Sequence, residues 1–235
     1  MPENSVSTID ENTRRYYLDV MGIQCWESLD TAEHIGSELH EARADEKNDL
    51  DLASLETVIQ QCDKCQLHKS RKQALSGRGN QSADLMFVLI SPDANDDKAA
   101  QICSGEAYNL LAKMLTAIGV SIDDVYITSL LKCCVPTTHT VSTTEIHHCN
   151  QYLKQQVHLV KPKLLVVLGE TSVRCLLQKN MALDDLRVET NNEQSSYFES
   201  VPIFVSYSPQ ELLRQPENKR KAWSDLQQMQ KIIQA

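Results

Sequence analysis

The stretch PKLLVVLGE at residues 162–170 contains the pattern on which the fold prediction rests. Its central residues, Leu164–Leu168, are all apolar and lie between Pro162 and Gly169. A continuous apolar run of this length predicts a strand buried on both faces, as in a parallel sheet. Glu170 marks a helix start, because a carboxylate in the first turn interacts favourably with the helix dipole. The stretch therefore predicts a strand followed by a helix, as α/β folds require.

Similar apolar runs recur along the chain, separated by longer amphipathic segments. The predicted strands are at 85–90, 125–130, 163–168 and 201–207, and the predicted helices are at about 107–118, 143–160, 170–178 and 217–234. Short β-branched runs that alternate with helices indicate βαβ units. The sequence therefore predicts the α/β class, as a three-layer α/β/α sandwich with a mostly parallel central sheet.

Charge and hydropathy narrow the classes of function. No apolar run approaches the roughly 18 residues that span a bilayer, and the first twenty residues lack the basic start and apolar stretch of a secretory signal. We therefore expect a cytoplasmic protein with no membrane association. The net charge of −9 disfavours direct nucleic-acid binding, since Lys and Arg supply most of that affinity. A local basic run, either a solvated loop or a phosphate-facing surface, consists of Lys69, Arg71, Lys72 and Arg78.

The N-terminal part of the chain differs in composition from the rest. Residues 14–26, RRYYLDVMGIQCW, are rich in arginine and aromatic residues. The segment 27–51 holds nine acidic residues against Arg43 and Lys47, so it buries little and is interpreted as flexible. We therefore divide the chain into an N-terminal peptide at 1–27, an acidic linker at 28–53 and an ordered domain at 54–235. The peptide either binds a partner or docks on its own domain as a terminal helix.

Four of the eight cysteines have the spacing of a metal site. Cys62 and Cys65 form a C-x2-C pair, and such a pair binds one metal centre from a single turn of chain. Cys133 follows a predicted strand, and Cys149 lies in the next predicted helix. Four thiolates suit either an iron–sulfur cluster or zinc, and the alternative is a set of buried free thiols. The remaining cysteines are interpreted as structural, although Cys134 is a possible substitute for Cys133.

From Cys62 to the C-terminus the sequence resembles the family 4 uracil-DNA glycosylases. The resemblance rests on the cysteine pair followed by Leu67 and Gly77, and on the stretches DLMFV (84–88), VYIT with LLKC (125–133) and PKLLVVLG (162–169). It implies a glycosylase-like fold for 54–235. It also implies that Cys62, Cys65, Cys133 and Cys149 hold a [4Fe-4S] cluster, with zinc as the alternative.

The sequence departs from that family at the positions of its chemistry. Where the family has Gly-Glu-Ala-Pro-Gly, this chain has Leu89, Ile90, Ser91, Pro92 and Asp93. The family's Phe that stacks on uracil, its Asn that reads uracil and its His that stabilises the departing base align with Cys103, Ser129 and Ser208. These substitutions predict that the chain is not an enzyme. Asp93, Asp96 and Asp97 are either replacement acids or solvated turn residues.

The N-terminal peptide resembles that of the psi subunits of bacterial DNA polymerase III. The matching residues, which the resemblance identifies as the partner-binding set, are Arg15, Tyr17, Leu18, Met21, Gly22, Ile23 and Trp26. It implies a non-catalytic adaptor that joins the chi subunit, and through chi the single-stranded-DNA-binding protein, to the tau or gamma subunits of the clamp loader. The alternative is a family 4 glycosylase or an inactive DNA-damage-binding relative.

Overall fold

The computed structural model describes residues 51–193 and 196–234. The predicted peptide at 1–27, with its seven partner-binding residues, and most of the linker predicted at 28–53 lie outside this part. Helix α1 (Leu52–Gln60) begins just after Asp51, whose side chain accepts a hydrogen bond from the Ser54 backbone N–H at 2.8 Å. The helix therefore starts two residues before the boundary predicted at 54.

A mixed sheet of six strands runs through the domain. The strands are β1 (Gly77–Gly79), β2 (Leu85–Leu89), β3 (Tyr126–Ser129), β4 (Leu164–Leu168), β5 (Tyr197–Phe198) and β6 (Val201–Ser206). Their order is β1-β3-β2-β4-β6-β5, with β3, β2, β4 and β6 parallel and the two edge strands antiparallel. Every residue of β2 and β4 is buried, as the apolar run at 164–168 predicts. The four predicted strands are confirmed, each within one residue at either end.

Helices cover both faces of the sheet. Besides α1 they are α2 (Ala94–Ala99), α3 (Gly105–Thr116), α4 (Thr143–Val160), α5 (Glu170–Leu177), α6 (Leu183–Glu193), α7 (Pro209–Arg214) and α8 (Lys219–Gln234). Side chains of α1, α4 and α6 pack with Met86 and Val88 on one face, and those of α3 and α8 pack with Phe87 and Leu89 on the other. The three-layer α/β/α architecture is therefore confirmed. Among these described helices, none is long and apolar enough to cross a membrane.

The ends of α4 show how local sequence sets a boundary. Ser142 caps the helix and accepts a hydrogen bond from the Glu145 backbone N–H, while the Glu145 carboxylate accepts one from the Ser142 backbone N–H at 2.8 Å. This capping box satisfies two donors that the first helical turn leaves free. At the other end Lys161 adopts a left-handed φ of 54°, which ends the helix. The observed span equals the predicted span of 143–160.

The strand order creates a crevice at one edge of the sheet. The chain passes from β2 to β3 on one side and then crosses to β4 on the other side of β2. The connections after β2 and β4 therefore leave in opposite directions from neighbouring strand ends. Ligands of open α/β sheets bind at such a switch point, outside the carboxyl ends of the strands.

Candidate functional site

A cleft of about 630 Å³ lies at this switch point and is called the carboxyl-edge cleft below. Four connections contribute to it, one after each parallel strand. Its lining is Leu89, Ile90, Ser91, Pro92, Asp93, Ala94 and Asn95 after β2; Cys134, Val135, Pro136 and Thr137 after β3; Leu168, Gly169, Thr171 and Ser172 after β4; and Ser208, Gln210, Glu211 and Arg214 after β6. A cleft of this size accommodates a small molecule or a single nucleobase.

Glu211 holds two helix starts together beside the cleft. Its Oε2 atom accepts a hydrogen bond from the Ser208 backbone N–H at 2.9 Å, and its Oε1 atom accepts one from the Glu170 backbone N–H at 3.0 Å. Gly169 has a φ of +90°, and a Cβ there would lie 3.1 Å from Glu211 Oε1. Glycine is therefore required for this approach. Both oxygens of Glu211 are used in positioning α5 and α7.

Three acidic residues follow β2, and of these Asp93 lines the carboxyl-edge cleft whereas Asp96 and Asp97 do not. Asp93 caps α2, and its Oδ1 atom accepts hydrogen bonds from the backbone N–H groups of Asn95 and Asp96, at 2.7 and 2.9 Å. Asp96 is fully buried and accepts from the backbone N–H groups of Cys103 and Ser104. Asp97 accepts from the Lys72 backbone N–H at 3.1 Å. Asp96 and Asp97 thus anchor loops, and Asp93 remains as a candidate for chemistry.

Among the positions that differ from the family, Ile90, Cys103, Ser129 and Ser208 do not share one location. Ile90 and Ser208 line the carboxyl-edge cleft. Cys103 and Ser129 are fully buried and do not belong to its lining. Burial, reinforced by the nearby Asp96 carboxylate, raises the pKa of Cys103 to about 12, and the Ser129 hydroxyl donates to the Leu131 carbonyl at 2.7 Å. Of these four substitutions, those at Ile90 and Ser208 therefore alter the cleft surface relative to the family.

Sequence reasoning missed two polar residues of the cleft, Gln210 and Arg214. Both come from α7, which has six residues and lies outside the predicted helices. Arg214 is exposed. The Oε1 atom of Gln210 is buried without a hydrogen-bond partner among the residues that the structure describes. Ser208-Pro209 with Glu211 was the available signal, since a serine cap, proline at the first position and glutamate two residues later mark a helix start.

The four predicted ligand cysteines lie in one region of the core. Cys133 and Cys149 are buried, and Cys62 and Cys65 are half-buried and pack against the same core cluster. Arg71 joins two parts of this region: its Nη1 donates to Cys133 Sγ at 2.9 Å, and its Nη2 donates to the Cys62 carbonyl at 2.7 Å. Arg71 belongs to the basic run for which the sequence left open a phosphate-facing surface, and its side chain instead contacts the cysteine region.

The thiols affect one another electrostatically. Burial raises the pKa of Cys149 to about 11, with Cys133 and Cys65 adding to the rise. Burial also raises the pKa of Cys133, while the hydrogen bond from Arg71 acts in the opposite direction. Over residues 51–193 and 196–234, no group of three or more His, Cys, Asp or Glu side chains has the arrangement of a metal site. The donor set of four thiols suits a soft metal, and ligand binding there remains a prediction.

Cys134 differs in position from its neighbour Cys133. It is half-buried and lines the carboxyl-edge cleft, whereas Cys133 is buried among the core residues around Tyr152 and Cys149. Cys133 therefore matches the predicted ligand position, and Cys134 lies on the cleft side of the same turn.

Comparisons with known proteins identify the domain. The model of the uracil DNA glycosylase superfamily matches residues 76–227. The type-4 uracil-DNA glycosylase of Pyrobaculum aerophilum is 33% identical over 181 residues, which cover 75% of this chain and 92% of that protein. The enzyme of the same name from Saccharolobus solfataricus is 30% identical, covering 79% of this chain and 87% of the relative. The type-4 uracil-DNA glycosylase of Archaeoglobus fulgidus is 29% identical, covering 76% of this chain and 92% of that protein.

These comparisons correct part of the prediction. The relatives are named as glycosylases, so the interpretation as a psi subunit is wrong. The predicted partners are wrong for the same reason, namely the chi, tau and gamma subunits and the single-stranded-DNA-binding protein. The expectation of little nucleic-acid binding is also wrong, because the relatives are named for an action on DNA. The conclusion that the chain is not an enzyme is contradicted by the same names. A role of residues 15–26 in binding some partner stays an untested prediction. The match over 76–227, together with the relatives' coverage, shows that this chain belongs to the uracil DNA glycosylase superfamily.

Proposed function

We propose that the protein is a uracil-DNA glycosylase that receives a uracil base in the carboxyl-edge cleft. The observation that carries the proposal is the 33% identity to a type-4 uracil-DNA glycosylase over 92% of that relative. The superfamily match at 76–227 includes all four connections that line the cleft. Enzymes of this kind take the target base out of the stack into a pocket, and the cleft has the required size.

The reaction is the hydrolysis of the bond between the deoxyribose C1′ atom and the uracil N1 atom. Water adds to C1′ while the C1′–N1 bond breaks, and the electron pair of that bond leaves with the base. The water must lose a proton, and the base must be stabilised as it gains negative charge. A carboxylate beside the sugar and hydrogen-bond donors beside the base would meet these needs.

Asp93 is our candidate for the carboxylate. Its Oδ1 atom holds the start of α2, and its Oδ2 atom accepts no hydrogen bond from any residue within the described ranges. Glu211, the other carboxylate of the cleft, uses both oxygens in backbone hydrogen bonds. Ile90, which also lines the cleft, has an apolar side chain that cannot hydrogen-bond to a water. Asp93 Oδ2 therefore orients the attacking water and accepts its proton.

Arg214 is our candidate for stabilising the departing base. The family's histidine is replaced by Ser208, which is uncharged at neutral pH. The guanidinium of Arg214 lies in the same lining, is always protonated and carries several N–H donors. Donors aimed at an oxygen that gains charge lower the barrier, because that charge is larger in the transition state than in the substrate.

We also propose that Cys62, Cys65, Cys133 and Cys149 hold a [4Fe-4S] cluster. The support is that four cysteines from three separated segments belong to or pack against one core cluster, and four cysteine thiolates are the usual ligands of such clusters. When bound, the cluster would fasten α1 and the loop after it to the end of β3 and to α4. Iron and sulfide analysis of the purified chain tests it: four irons per chain support the proposal, and one zinc per chain contradicts it.

The glycosylase proposal is tested with matched single-stranded oligonucleotides that differ in one base. We expect cleavage at uracil, measured as alkali-sensitive sites, and none at thymine or cytosine in the same position. Cleavage at all three bases would contradict uracil specificity. An intact uracil oligonucleotide after prolonged incubation with excess protein would contradict the proposed reaction.

A further inference from the structure

The side chain of Arg71 connects two of the three segments that carry the four cysteines. Arg71 follows the short 3-10 helix Gln66–Lys69. Its Nη1 atom donates to Cys133 Sγ at 2.9 Å, and its Nη2 atom donates to the carbonyl oxygens of Gln60 and Cys62, at 2.9 and 2.7 Å. One guanidinium thus joins the end of α1 and the adjacent C-x2-C turn to Cys133 in the loop after β3, a residue 62 positions further along the chain.

Other cations near this region make different contacts. The Lys132 ammonium is buried and donates to Thr128 Oγ1, the Ser129 carbonyl and Gln156 Oε1. The Lys64 ammonium lies 5.3 Å from the centre of the Tyr152 ring. Within the part of the chain that the structure describes, Arg71 is the cation that donates to a cysteine sulfur. Arg71 therefore differs from these two cations in donating a side-chain hydrogen bond to a thiol as well as to two backbone carbonyls.

A planar guanidinium suits this geometry because its N–H donors are fixed relative to each other. It can direct one N–H at sulfur while the others hold the backbone that carries the neighbouring thiol. Hydrogen bonds to the sulfurs and local charge are among the features that set the reduction potential of an iron–sulfur cluster. Residues of this kind, which orient ligands without binding metal, affect metal affinity strongly.

We propose that Arg71 is a positioning residue for the metal group of the four cysteines, fixing the Cys62 turn and donating to the Cys133 sulfur. This inference rests on the cluster proposed above. Arg71 offers no lone pair to a metal and binds none itself. Its positive charge partly balances the negative charge of the thiolates, and its two backbone contacts keep Cys62 at the correct place for ligation.

Three variants separate this role from a general contribution to folding. Arg71→Met removes the charge and every N–H donor, Arg71→Lys keeps the charge but cannot reach three acceptors in a plane, and Lys69→Met removes a charge from an exposed neighbour in the same segment. Each is purified like the wild type. The measurements are iron and sulfide per chain, the rate of colour loss with a chelator, and the reduction potential.

For Arg71→Met we expect the chelator to remove the cluster roughly 10- to 100-fold faster than from the wild type, because changing a residue that orients metal ligands lowers metal affinity by about this factor. Its reduction potential should fall, because an N–H donor to sulfur favours the more negative, reduced state. For Arg71→Lys, the rate of cluster loss and the reduction potential should lie between those of Arg71→Met and the wild type. For Lys69→Met, both should equal the wild-type values.

Two outcomes would overturn the inference in distinguishable ways. If the wild type holds iron and sulfide and Arg71→Met has the same chelator rate and potential, Arg71 is merely structural. If the wild type holds no iron and sulfide, the cluster proposal fails and the inference fails with it. Cleavage of uracil-containing DNA by the same samples is a separate measurement, so the glycosylase proposal stands or falls independently.

Discussion

The Glu211 carboxylate accepts the backbone N–H of Glu170 at 3.0 Å, and this one hydrogen bond ties the start of α5 to the start of α7. Its other oxygen accepts the Ser208 backbone N–H at 2.9 Å. The two helix starts flank the carboxyl-edge cleft, so this side chain adds to the pairing of β4 with β6, where the Gly169 backbone N–H donates to the Ser206 carbonyl at 2.8 Å. The cleft is therefore built from local capping interactions as well as from the sheet.

Replacing Glu211 should destabilise the domain. Glu211→Ala leaves the backbone N–H groups of Ser208 and Glu170 without their acceptor, and bonds to a charged group contribute about 1.5–3 kcal/mol each. We expect the free energy of unfolding in urea to fall by about 3 kcal/mol, which is the sum of two such bonds at the lower end of that range. Glu217→Ala, an exposed glutamate just after α7, is the control and should change it by less than about 0.5 kcal/mol. Equal effects of the two would contradict the role given to Glu211.

Introducing the family's histidine at Ser208 should increase the rate of uracil release. Ser208→His places an imidazole N–H donor in the cleft, and a single such donor contributes about 100-fold or more to related reactions. The same change removes the cap of α7, which costs about 1 kcal/mol of stability. Ser208→Ala loses the cap alone. We expect a faster single-turnover rate for the histidine variant and a rate near wild type for alanine; a histidine variant no faster than alanine would count against this assignment of the cleft.

Cys103 should make the domain less stable in alkali. Its pKa is raised to about 12 by burial and the neighbouring Asp96, whereas an unfolded thiol ionises near its ordinary value of about 8.5. The folded state therefore binds more protons between these values, so this stability is complete below the unfolded pKa and is lost as pH rises toward the folded pKa. Between pH 9 and 11, the ionisation of this thiol in the unfolded state should lower the free energy of unfolding by about 2 kcal/mol.

The measurement for Cys103 is urea unfolding at pH 7.5, 9 and 11. Cys103→Ser has a similar shape and does not titrate in this range, so its stability should fall less steeply with pH than that of the wild type. The comparison at pH 7.5 accounts for the change in packing. Parallel curves for the two proteins would show that Cys103 is not the source of the alkaline loss.

The sequence predicts the sheet well because apolar runs such as Leu164–Leu168 have few other physical explanations. The span of α4 was also predictable, because Ser142 and Glu145 form a capping box. The short helix α7 was missed, since six residues give no helical period. The contact of Arg71 with Cys133 was missed as well, because a pairing over 62 positions leaves no trace in local sequence.

The wrong prediction of function has two sources in the sequence. The seven residues from Arg15 to Trp26 resemble a psi-subunit peptide, but so short a pattern is far less specific than a domain match over residues 76–227. The prediction that the chain is not an enzyme rests on the substitutions at Ile90, Cys103, Ser129 and Ser208, which remove the family's groups from those positions only. A cleft can, however, draw its groups from other positions of its lining, and Asp93 and Arg214 lie in the same lining.

The central claim is tested most directly by the single-turnover rate of uracil release from single-stranded DNA by the wild type, Asp93→Asn and Asp97→Asn. A positioned acid or base contributes about 100-fold or more, so Asp93→Asn should be slower by that factor. Asp97 holds backbone N–H groups away from the cleft, so Asp97→Asn should keep the wild-type rate. Release by the wild type with loss in Asp93→Asn alone is the predicted result. No release by the wild type, or equal rates for the two variants, would contradict the account.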